Sequence, residues 1–364
     1  MPISLLVSLE MVKFYQGLFI EYDCMIFDEE KGQPSKTQSS NLNEELGMVN
    51  YIFSDKTGTL TQNIMEFKKF SAGMKSYGSS NPEAREYDKG VTNVNFHDPD
   101  FELEWNDQQS SNYQYLEAFI NILAICHTII VERKDDVLQY NASSPDELAL
   151  TNAARHFGIV FEDRDALDNV VIFNKNDGTR KKYELLNVIE FTSARKRMTV
   201  VVKNSEGKII CMTKGADSHI MPRLKDNQQD LIQATQHYIE DYANEGLRTL
   251  FLAQKEVDPG FYTRWNKEYL LAMCSMTQRE EKMDAVAEKI EQDFDLIGST
   301  AIEDKLQDDV GNTIRDIKSA GVKLWVLTGD KIETAINIGF SCKLLDREME
   351  IFVLNKETTK ELYQ

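Results

Sequence analysis

The stretch VNYIFSDKTGT, residues 49–59, joins a short apolar run to a polar turn that contains a glycine. A second stretch of the same design, LWVLTGD at residues 324–330, lies near the other end of the chain. An apolar strand that ends in such a turn is how parallel α/β sheets present chemically active side chains. Each stretch delivers an Asp and a Thr at the carboxyl end of its strand. The two stretches therefore predict an α/β fold whose chemistry lies at these strand ends.

The distance in sequence between the two stretches predicts a discontinuous domain. If the two strands are neighbours in one sheet, the residues between them must form a separate inserted domain. We therefore expect one domain made of residues 47–69 and 296–364, with the insertion at residues 70–295. Residues 23–46 are polar and contain a glycine and a proline, which is typical of a connector.

Local patterns predict several elements inside the insertion. Helices are expected at residues 113–130, 231–242 and 278–292, and the last is so highly charged that we expect a solvated surface helix. Strands are expected at residues 200–202 and 209–211, with a turn between them. Residues 75–110 are rich in Ser, Asn, Asp and Gly, and we expect a loop there.

Composition excludes several classes of function. The chain has 364 residues, with 41 Lys and Arg against 60 Asp and Glu, and its formal net charge is −19. That charge argues against nucleic acid as a partner, because phosphate contacts need a basic face. The five cysteines are dispersed, which excludes CxxC motifs and fits a reducing compartment. The five histidines are also dispersed and form no HExxH motif, so zinc chemistry is not expected.

The first 22 residues allow two interpretations. The stretch MPISLLVSLEMVKFYQGLFI, residues 1–20, has no basic leader and no small-residue cleavage site, so it is a poor signal peptide. One interpretation is a buried amphipathic helix, which composition alone favours. The other is part of a membrane helix running into a stalk, with Pro2 at a break in that helix. The charge-free run ends at Glu10, and periodicity does not decide between the two.

The first strand end carries a candidate phosphoryl acceptor. Asp55 can attack a phosphoryl group and form an acyl phosphate. Thr57 and Gly58 leave room for the phosphate and offer backbone N–H groups to its oxygens. Lys56 and a bound Mg²⁺ ion would offset the charge that develops during transfer. The alternative is that this pentapeptide is merely a turn or a helix cap.

The second strand end carries residues of the same types. Thr328 and Gly329 could bind the transferred phosphate, and Asp330 could contact a nucleotide or a metal ion. A lone motif of this kind would be weak, but here each motif follows an apolar strand and has a partner. The pairing favours the functional interpretation of both.

These motifs also support a resemblance to a known family. FSDKTGTLTQN at residues 53–63 resembles the phosphorylation signature of the P-type ATPases, and TGDK at residues 328–331 is similar to their second phosphorylation-domain motif. Lys214-Gly215-Ala216 resembles the lysine motif of their nucleotide domain. The resemblance implies a discontinuous Rossmann-like phosphorylation domain of the haloacid-dehalogenase type. It also implies a large inserted α+β nucleotide-binding domain at residues 70–295, and part of the fourth transmembrane helix at residues 1–22.

Other motifs point to one branch of that family, the phospholipid flippases of type IV. Pro2-Ile3-Ser4-Leu5 resembles the mid-membrane motif of that branch, where cation pumps carry an acidic residue. Pro2, Ile3 and Ser4 would then line the lipid path, since a helix break with a hydroxyl suits a bulky headgroup better than a dehydrated cation. Residues 40–47, 143–147, 191–198 and 301–307 are also similar to that branch.

The resemblance assigns roles to individual residues. Asp55 would be the phosphorylated aspartate, and Mg²⁺ would be held by Asp55 and the Thr57 carbonyl. Related phosphatases place an acid/base Asp where Thr57 stands, so the aspartyl phosphate would survive long enough for a conformational change. The implied ATP contacts are Asp55, Lys56, Thr57, Glu147, Phe191, Lys214, Arg248, Thr328, Gly329 and Asp330. Phe191 would stack on adenine, Lys214 would reach into the pocket, and Arg248 would add positive charge near the phosphates.

Each of the pocket residues also has a structural interpretation. Phe191 alone is more typical of a core residue, and Lys214 alone is typical of a solvated surface charge. Glu147 could be an acid at a helix N-terminus after Ser144 and Pro145. Residues 195–197 could form a solvated basic cluster at a strand edge.

For the whole protein, the resemblance implies an ATP-driven phospholipid translocase. The expected partners are a phospholipid (an aminophospholipid by the resemblance), ATP, the membrane and a small accessory membrane subunit. We expect an integral membrane protein whose domains in this chain face the cytosol. The actuator domain should precede this chain and the remaining Mg²⁺ ligands should follow Gln364, so we expect a fragment that binds ATP without completing transport. The alternatives are a cation-transporting P-type ATPase, a soluble phosphatase and a non-transporting nucleotide-binding remnant.

Overall fold

The computed structural model of the chain describes residues 3–29, 31–39, 42–78, 91–134, 137–165, 169–329, 332–346 and 349–353. The fold is mixed α/β and contains a large sheet, which confirms the predicted class. The strands are β1 (Tyr51–Asp55), β2 (Thr61–Ala72), β3 (Lys75–Tyr77), β4 (Ile130–Lys134), β5 (Val137–Asn141), β6 (Ile159–Arg164), β7 (Val170–Asn174), β8 (Arg180–Ile189), β9 (Arg197–Lys203), β10 (Ile209–Gly215), β11 (Arg248–Val257), β12 (Asp295–Leu306) and β13 (Lys323–Leu327). The α-helices are α1 (Ile3–Glu21), α2 (Asn43–Leu46), α3 (Pro99–Asn106), α4 (Tyr113–Ile125), α5 (Pro145–His156), α6 (Asp217–Ile220), α7 (Gln229–Asn244), α8 (Pro259–Met273), α9 (Arg279–Ile290), α10 (Val310–Ser319) and α11 (Ile332–Ser341).

Strands β1 and β13 pair in parallel, although all of the other described strands lie between them in sequence. The register places Tyr51 opposite Lys323 and Asp55 opposite Leu327. Both strands therefore end at the same edge, where the turns that begin with Lys56 and Thr328 follow. This is the neighbour relationship that the two strand-end motifs predict.

The large sheet has nine strands within the described residues, in the order β3-β2-β12-β11-β10-β9-β8-β7-β6. All of its pairings are antiparallel. Strands β2 and β12 lie side by side. Strand β2 begins near the β1–β13 pair, and strand β12 ends there. They therefore connect the strand-end turns to the large sheet.

Strand β9 shows how the large sheet separates two apolar cores. Met198, Val200 and Val202 belong to the core that contains residues of α4 and α5. Val201 belongs to the core that contains residues of α7, α8 and α9. Successive side chains on a strand point to opposite faces, so one strand supplies both cores. The central strands β9 and β10 are buried on both sides as a result.

Most local predictions hold, with two corrections. The expected helices and strands of the insertion correspond to α4, α7, α9, β9 and β10. The loop expected at residues 75–110 is wrong in part, because it contains β3 and α3. Helix α3 begins where the Asp98 side chain accepts a hydrogen bond from Phe101 N at 3.0 Å, with Pro99 in the first turn. Helix α9 is also less solvated than expected, since Ala287 and Ile290 are buried.

Helix α1 is the element of the described residues that is long and apolar enough to cross a membrane, by length and composition alone. The most apolar 18-residue stretch of this helix has a mean hydropathy of 1.4, and only 6% of that stretch is buried. The interpretation of this segment as a buried amphipathic helix is therefore wrong. Gly17 is its buried residue, and a Cβ there would lie 3.3 Å from Thr37 Cγ2.

Candidate functional site

A cavity of about 440 Å³ opens on the α4–α5 side of the large sheet. Its walls come from β9, β10, β11, the start of α5 and the segment before β9. The lining residues are Thr128, Ser143, Ser144, Asp146, Glu147, Leu150, Glu190, Phe191, Met198, Lys214, Gly215, Arg248 and Leu250. Four residues that the sequence singles out as ATP contacts, Glu147, Phe191, Lys214 and Arg248, thus meet around one cavity.

Glu147 and Lys214 form a nearly buried ion pair at the base of this cavity. Lys214 Nζ lies 3.0 Å from Glu147 Oε1, and the two side chains are only 9% and 11% exposed. The other oxygen, Oε2, accepts hydrogen bonds from Thr128 N at 3.1 Å and Thr128 Oγ1 at 2.9 Å. Burial by itself would raise the pKa of Glu147, but Lys214 and Thr128 outweigh it and hold that pKa below its usual value. Glu147 is therefore an anion, and Lys214 is not the solvated surface charge of the alternative interpretation.

The environment of this ion pair also fixes the charge of its neighbours. Burial, reinforced by the positive charge of Lys214, lowers the pKa of His127 to about 3. Burial raises the pKa of the adjacent Cys126 thiol to about 12. Both side chains are consequently neutral near pH 7. Glu147 thus keeps its charge beside Lys214, whereas His127 and Cys126 carry none.

Phe191 presents its ring to the cavity and is not a core residue, since 59% of it is exposed. It follows β8 and precedes a tight turn in which Lys196 N donates to Thr192 O at 2.7 Å. Lys196 has a φ of +48°, which is uncommon for a residue with a side chain. An exposed aromatic ring at the mouth of a cavity is suited to stack on a planar ligand.

Gly215 allows the backbone of β10 to approach the start of β9 closely. A Cβ at Gly215 would lie 2.5 Å from Arg197 Cβ and 2.7 Å from Lys196 O. The register also places Lys214 opposite Met198, which lines the cavity. Glycine at this position therefore lets Lys214 and the turn that follows Phe191 share one wall.

Arg248 lies at the rim of the cavity and pairs with Asp146. Arg248 Nη1 donates to Asp146 Oδ1 at 3.2 Å, and 43% of the Arg248 side chain is exposed. Burial raises the pKa of Asp146, and Arg248 offsets that rise only in part. An exposed guanidinium held by a single carboxylate can be redirected toward an anionic ligand at little cost.

The strand-end turns form a second group of residues. Asp55 is exposed at the end of β1, and the turn after it reaches a φ of +76° at Gly58, as glycine permits. Gly58 N donates to Thr61 Oγ1 at 3.2 Å, which closes the turn. Thr328 and Gly329 are exposed after β13 at the same edge. Asp330 lies outside the described residues.

Asp304 on β12 interacts with residues of both groups. Lys56 Nζ lies 3.2 Å from Asp304 Oδ2. Asp304 is in turn close enough to Asp146 for its charge to contribute to the raised pKa of Asp146. Asp304 therefore pairs with the residue next to Asp55 and acts electrostatically on Asp146 in the wall of the cavity.

The donors near Asp55 fit a magnesium ion only in part. Within the described residues, no group of three or more His, Cys, Asp or Glu side chains could hold a metal ion. The Asp55 carboxylate and the Thr57 carbonyl are nonetheless two oxygen donors on one exposed turn. Mg²⁺ commonly takes one or two protein oxygens and completes its shell with phosphate and water. The pair therefore fits a Mg²⁺ ion that arrives with a nucleotide.

Sequence reasoning missed several lining residues. Asp146 is adjacent to the predicted Glu147, and its place in the same acidic pair is a signal that could have found it. Thr128, Glu190 and Leu250 carry no such signal, because each is an ordinary residue that reaches the cavity through the fold. Of the expected lipid-path residues, Ile3 and Ser4 begin α1 and are exposed, and Pro2 lies outside the described residues.

Comparison with known proteins assigns the family. A family model described as P-type ATPase, cytoplasmic domain N, matches residues 115–309. The phospholipid-transporting ATPase DRS2 of Saccharomyces cerevisiae is 43% identical over 98% of this chain and 26% of its own length. The phospholipid-transporting ATPase IC of Homo sapiens is 44% identical over 96% of this chain and 28% of its own length. The chain thus spans little more than a quarter of these relatives. Because the family model matches more than half of its residues, the chain belongs to the P-type ATPase family.

Proposed function

We propose that this chain carries the ATP-binding and phosphoryl-accepting regions of an ATP-dependent phospholipid translocase. The observation that carries the proposal is the convergence of Glu147, Phe191, Lys214 and Arg248 on one cavity. Lys56, which follows Asp55, pairs with Asp304, and the charge of Asp304 also acts on Asp146 in the wall of that cavity. A nucleotide site linked to an exposed aspartate at a strand end is what phosphoryl transfer to a carboxylate requires.

We propose a domain organisation that the same observations support. Residues 47–69 and 296–364 form a Rossmann-like phosphorylation domain of the haloacid-dehalogenase type, and residues 70–295 form an inserted nucleotide-binding domain. The parallel pairing of β1 with β13 supports this division. Strands β2 and β12 run from one domain into the other, so the boundary lies within a paired ladder.

In this proposal the cavity binds ATP through three kinds of contact. Phe191 stacks on the adenine ring, and the Glu147–Lys214 pair lies at the base of the cavity beside it. Arg248 leaves Asp146 and turns toward the phosphates, which offer a higher negative charge. The acceptor-only Glu147 carboxylate suits the exocyclic amine of adenine. The cavity therefore has an apolar stacking face, a polar base and a basic rim.

Phosphoryl transfer then occurs at the strand-end turn. A carboxylate oxygen of Asp55 attacks the γ-phosphorus of ATP, the new P–O bond forms, and the bond to the β,γ-bridging oxygen breaks. ADP leaves with the electrons of that bond. The backbone N–H groups of Thr57, Thr328 and Gly329 donate hydrogen bonds to the phosphate oxygens, and Asp330 contacts the nucleotide or a metal ion. A Mg²⁺ ion held by Asp55 and the Thr57 carbonyl would offset the charge that develops on the phosphate.

Thr57 accounts for the persistence of the product. A carboxylate at this position could deliver water to the acyl phosphate, whereas a threonine cannot act as a comparable acid or base. The aspartyl phosphate on Asp55 therefore lasts long enough to drive a conformational change.

The proposal of a phospholipid substrate is supported by the relatives and by the N-terminal motif. The relatives named above are phospholipid-transporting ATPases. Helix α1 carries Ile3 and Ser4 with no carboxylate in its first turn, which suits a lipid headgroup better than a bare cation. We propose an integral membrane protein in which the domains of this chain face the cytosol. Its substrate is an aminophospholipid, and it works with a small accessory membrane subunit.

Labelling the full-length parent with γ-labelled ATP tests the proposal. We expect a hydroxylamine-sensitive label that disappears in Asp55→Asn and is discharged when aminophospholipid is added. Discharge by a cation alone would favour the cation-pump alternative. ATP binding without any label in the full-length parent would favour a nucleotide-binding remnant.

A further inference from the structure

Glu291 is completely buried on the face of the large sheet opposite the cavity. It follows the last residue of α9, and its backbone N donates to Ala287 O at 3.2 Å. Its Oε2 accepts from Arg197 Nε at 3.0 Å and from Arg197 Nη2 at 2.6 Å. Its Oε1 accepts from Arg195 Nη2 and from the Thr199 hydroxyl. One carboxylate thus holds two guanidinium groups.

The two arginines are nearly buried as well, so the cluster is not the solvated basic edge of the alternative interpretation. Arg195 is 6% exposed and Arg197 is 3% exposed. Glu288 pairs with Arg197 at 2.7 Å and with Arg223 at 2.8 Å at the outer side of the cluster. A buried charge is tolerated only when it is paired and hydrogen-bonded, and such pairing restricts every member to one geometry. The cluster therefore immobilises the backbone from which the two arginines extend.

That backbone is the segment that carries the aromatic wall of the cavity. Arg195 N donates to Thr192 Oγ1 at 3.2 Å, and Arg197 Nη1 donates to Arg195 O at 3.2 Å. Ala216 N donates to Lys196 O at 3.0 Å, which ties the turn to the end of β10. Phe191 comes immediately before this turn, and Met198, which also lines the cavity, comes immediately after it. The anchored residues 192–197 thus lie between two wall residues.

We propose that Glu291 is a positioning residue for nucleotide binding: it holds residues 192–197 from the reverse face of the sheet and so sets the orientation of the Phe191 ring. The proposal rests on the proposed function, since it assumes that the cavity binds ATP. It assigns Glu291 to the adenosine part of the ligand and not to the phosphates. Arg248, at the rim, serves the phosphates.

The assignment of Glu291 to adenosine and of Arg248 to the phosphates gives a test that a merely structural role would not satisfy. We expect Glu291→Gln, in the detergent-purified 364-residue chain, to weaken the binding of ATP and of adenosine by the same factor, about tenfold. That factor is the size expected for the loss of one base–aromatic stack. Arg248→Ala should weaken ATP binding and leave adenosine binding unchanged. The measurement is isothermal titration calorimetry with each ligand.

A matched control is available on the neighbouring helix. Glu268 on α8 is paired with Lys289 but its side chain is 51% exposed. Glu268→Gln makes the same chemical change and should leave both affinities within about twofold, because exposed ion pairs contribute little. Hydrogen exchange should also show faster amide exchange at residues 192–197 in Glu291→Gln and not in Glu268→Gln.

A second variant covers the case in which Glu291→Gln does not fold. Thr199→Val removes one hydrogen bond to Glu291 and leaves every charge in place. It should weaken the binding of ATP and of adenosine equally, by a smaller factor than Glu291→Gln does. Folded variants that bind adenosine as the wild type does, with unchanged exchange at residues 192–197, overturn the proposal for Glu291. A wild-type chain that binds neither ligand overturns the ATP site itself and the inference with it.

Discussion

Lys56 Nζ lies 3.2 Å from Asp304 Oδ2, and these side chains are only 3% and 4% exposed. Lys56 follows the expected phosphoryl acceptor, whereas Asp304 belongs to β12, which continues into the large sheet. The pair therefore holds the turn that follows Asp55 against β12, a strand of the sheet that also carries the nucleotide cavity. Such a buried pair is costly to disrupt from one side, because the remaining charge stays buried.

We expect Asp304→Asn to lower the free energy of unfolding by about 3 kcal/mol. The neighbouring residue supplies the control, since Glu303 pairs with Lys68 at 2.9 Å and its side chain is 47% exposed. Glu303→Gln should cost less than about 1 kcal/mol. Urea denaturation followed by circular dichroism measures both. Equal effects of the two substitutions would contradict the role given to the buried pair.

The Glu147–Lys214 pair predicts a separation of stability from binding. Lys214→Met leaves Glu147 as a buried anion without its ion-pair partner, so it should lower both stability and ATP affinity. Adding Glu147→Gln removes that uncompensated charge and should restore stability, while ATP binding stays lost. A double-mutant cycle with thermal unfolding and calorimetry on the same samples measures the two effects. Recovery of ATP binding in the double variant would show that Lys214 does not contact the nucleotide.

Two adjacent carboxyl groups predict opposite dependences of stability on pH. The pKa of Glu147 is lowered in the folded chain, so its contribution is present above its ordinary pKa and is lost as pH falls through the folded pKa. The pKa of Asp146 is raised by burial, so stability is lost as pH rises from its ordinary value through the folded pKa.

Glu147→Gln should therefore reduce the loss of stability in acid, and Asp146→Asn should reduce the loss on going from acid toward neutral pH. Unfolding free energies measured between about pH 3 and pH 7 test both signs. Curves that stay parallel to the wild-type curve would contradict the two environments described above.

Glycine at position 215 should be required for packing. Gly215→Ala places a Cβ 2.5 Å from Arg197 Cβ and 2.7 Å from Lys196 O, so β9 and β10 must separate locally. We expect a loss of about 2 kcal/mol in stability and weaker ATP binding, because Lys214 moves with the strand. Gly311→Ala is the control, since the nearest atom there is Lys343 Cδ at 3.4 Å and the residue lies within α10. It should leave stability unchanged or raise it by up to about 1 kcal/mol.

The sequence predicted the parts of this molecule that depend on local pattern. The strand-end design of residues 49–59 and 324–330 predicted a parallel pair, which β1 and β13 form. The resemblance assigns Glu147, Phe191, Lys214 and Arg248 to one nucleotide site, and the structure places all four at one cavity. The roles of Asp55 and Thr57 in metal binding, and of Pro2, Ile3 and Ser4 in a lipid path, stay predictions.

The rest depends on contacts between residues that are distant in sequence. The pattern of residues 195–197 is equally compatible with a solvated edge, and only packing against α9 shows that Glu291 pairs with both Arg195 and Arg197. The charge of α9 suggested a surface helix for the same reason, because composition does not reveal which carboxylate is buried. Helix α3 was missed because its polar composition resembles that of a loop, although Asp98 and Pro99 form a helix start.

The strand pairs differ greatly in how far apart their partners lie along the chain, and this bears on the order of folding. Strands β6 to β10 follow one another in sequence and pair with their neighbours, so each contact closes only a short loop. The pairing of Tyr51 with Lys323 closes a loop that contains all of the other described strands. Closure entropy grows with loop length, and non-local pairs form slowly in an unfolded chain. We therefore expect the antiparallel meander to form first and to bring the ends of the chain together. Amides of β1 and β13 should acquire protection last in pulse-labelled refolding, so the strand that presents Asp55 forms only after the large sheet is complete.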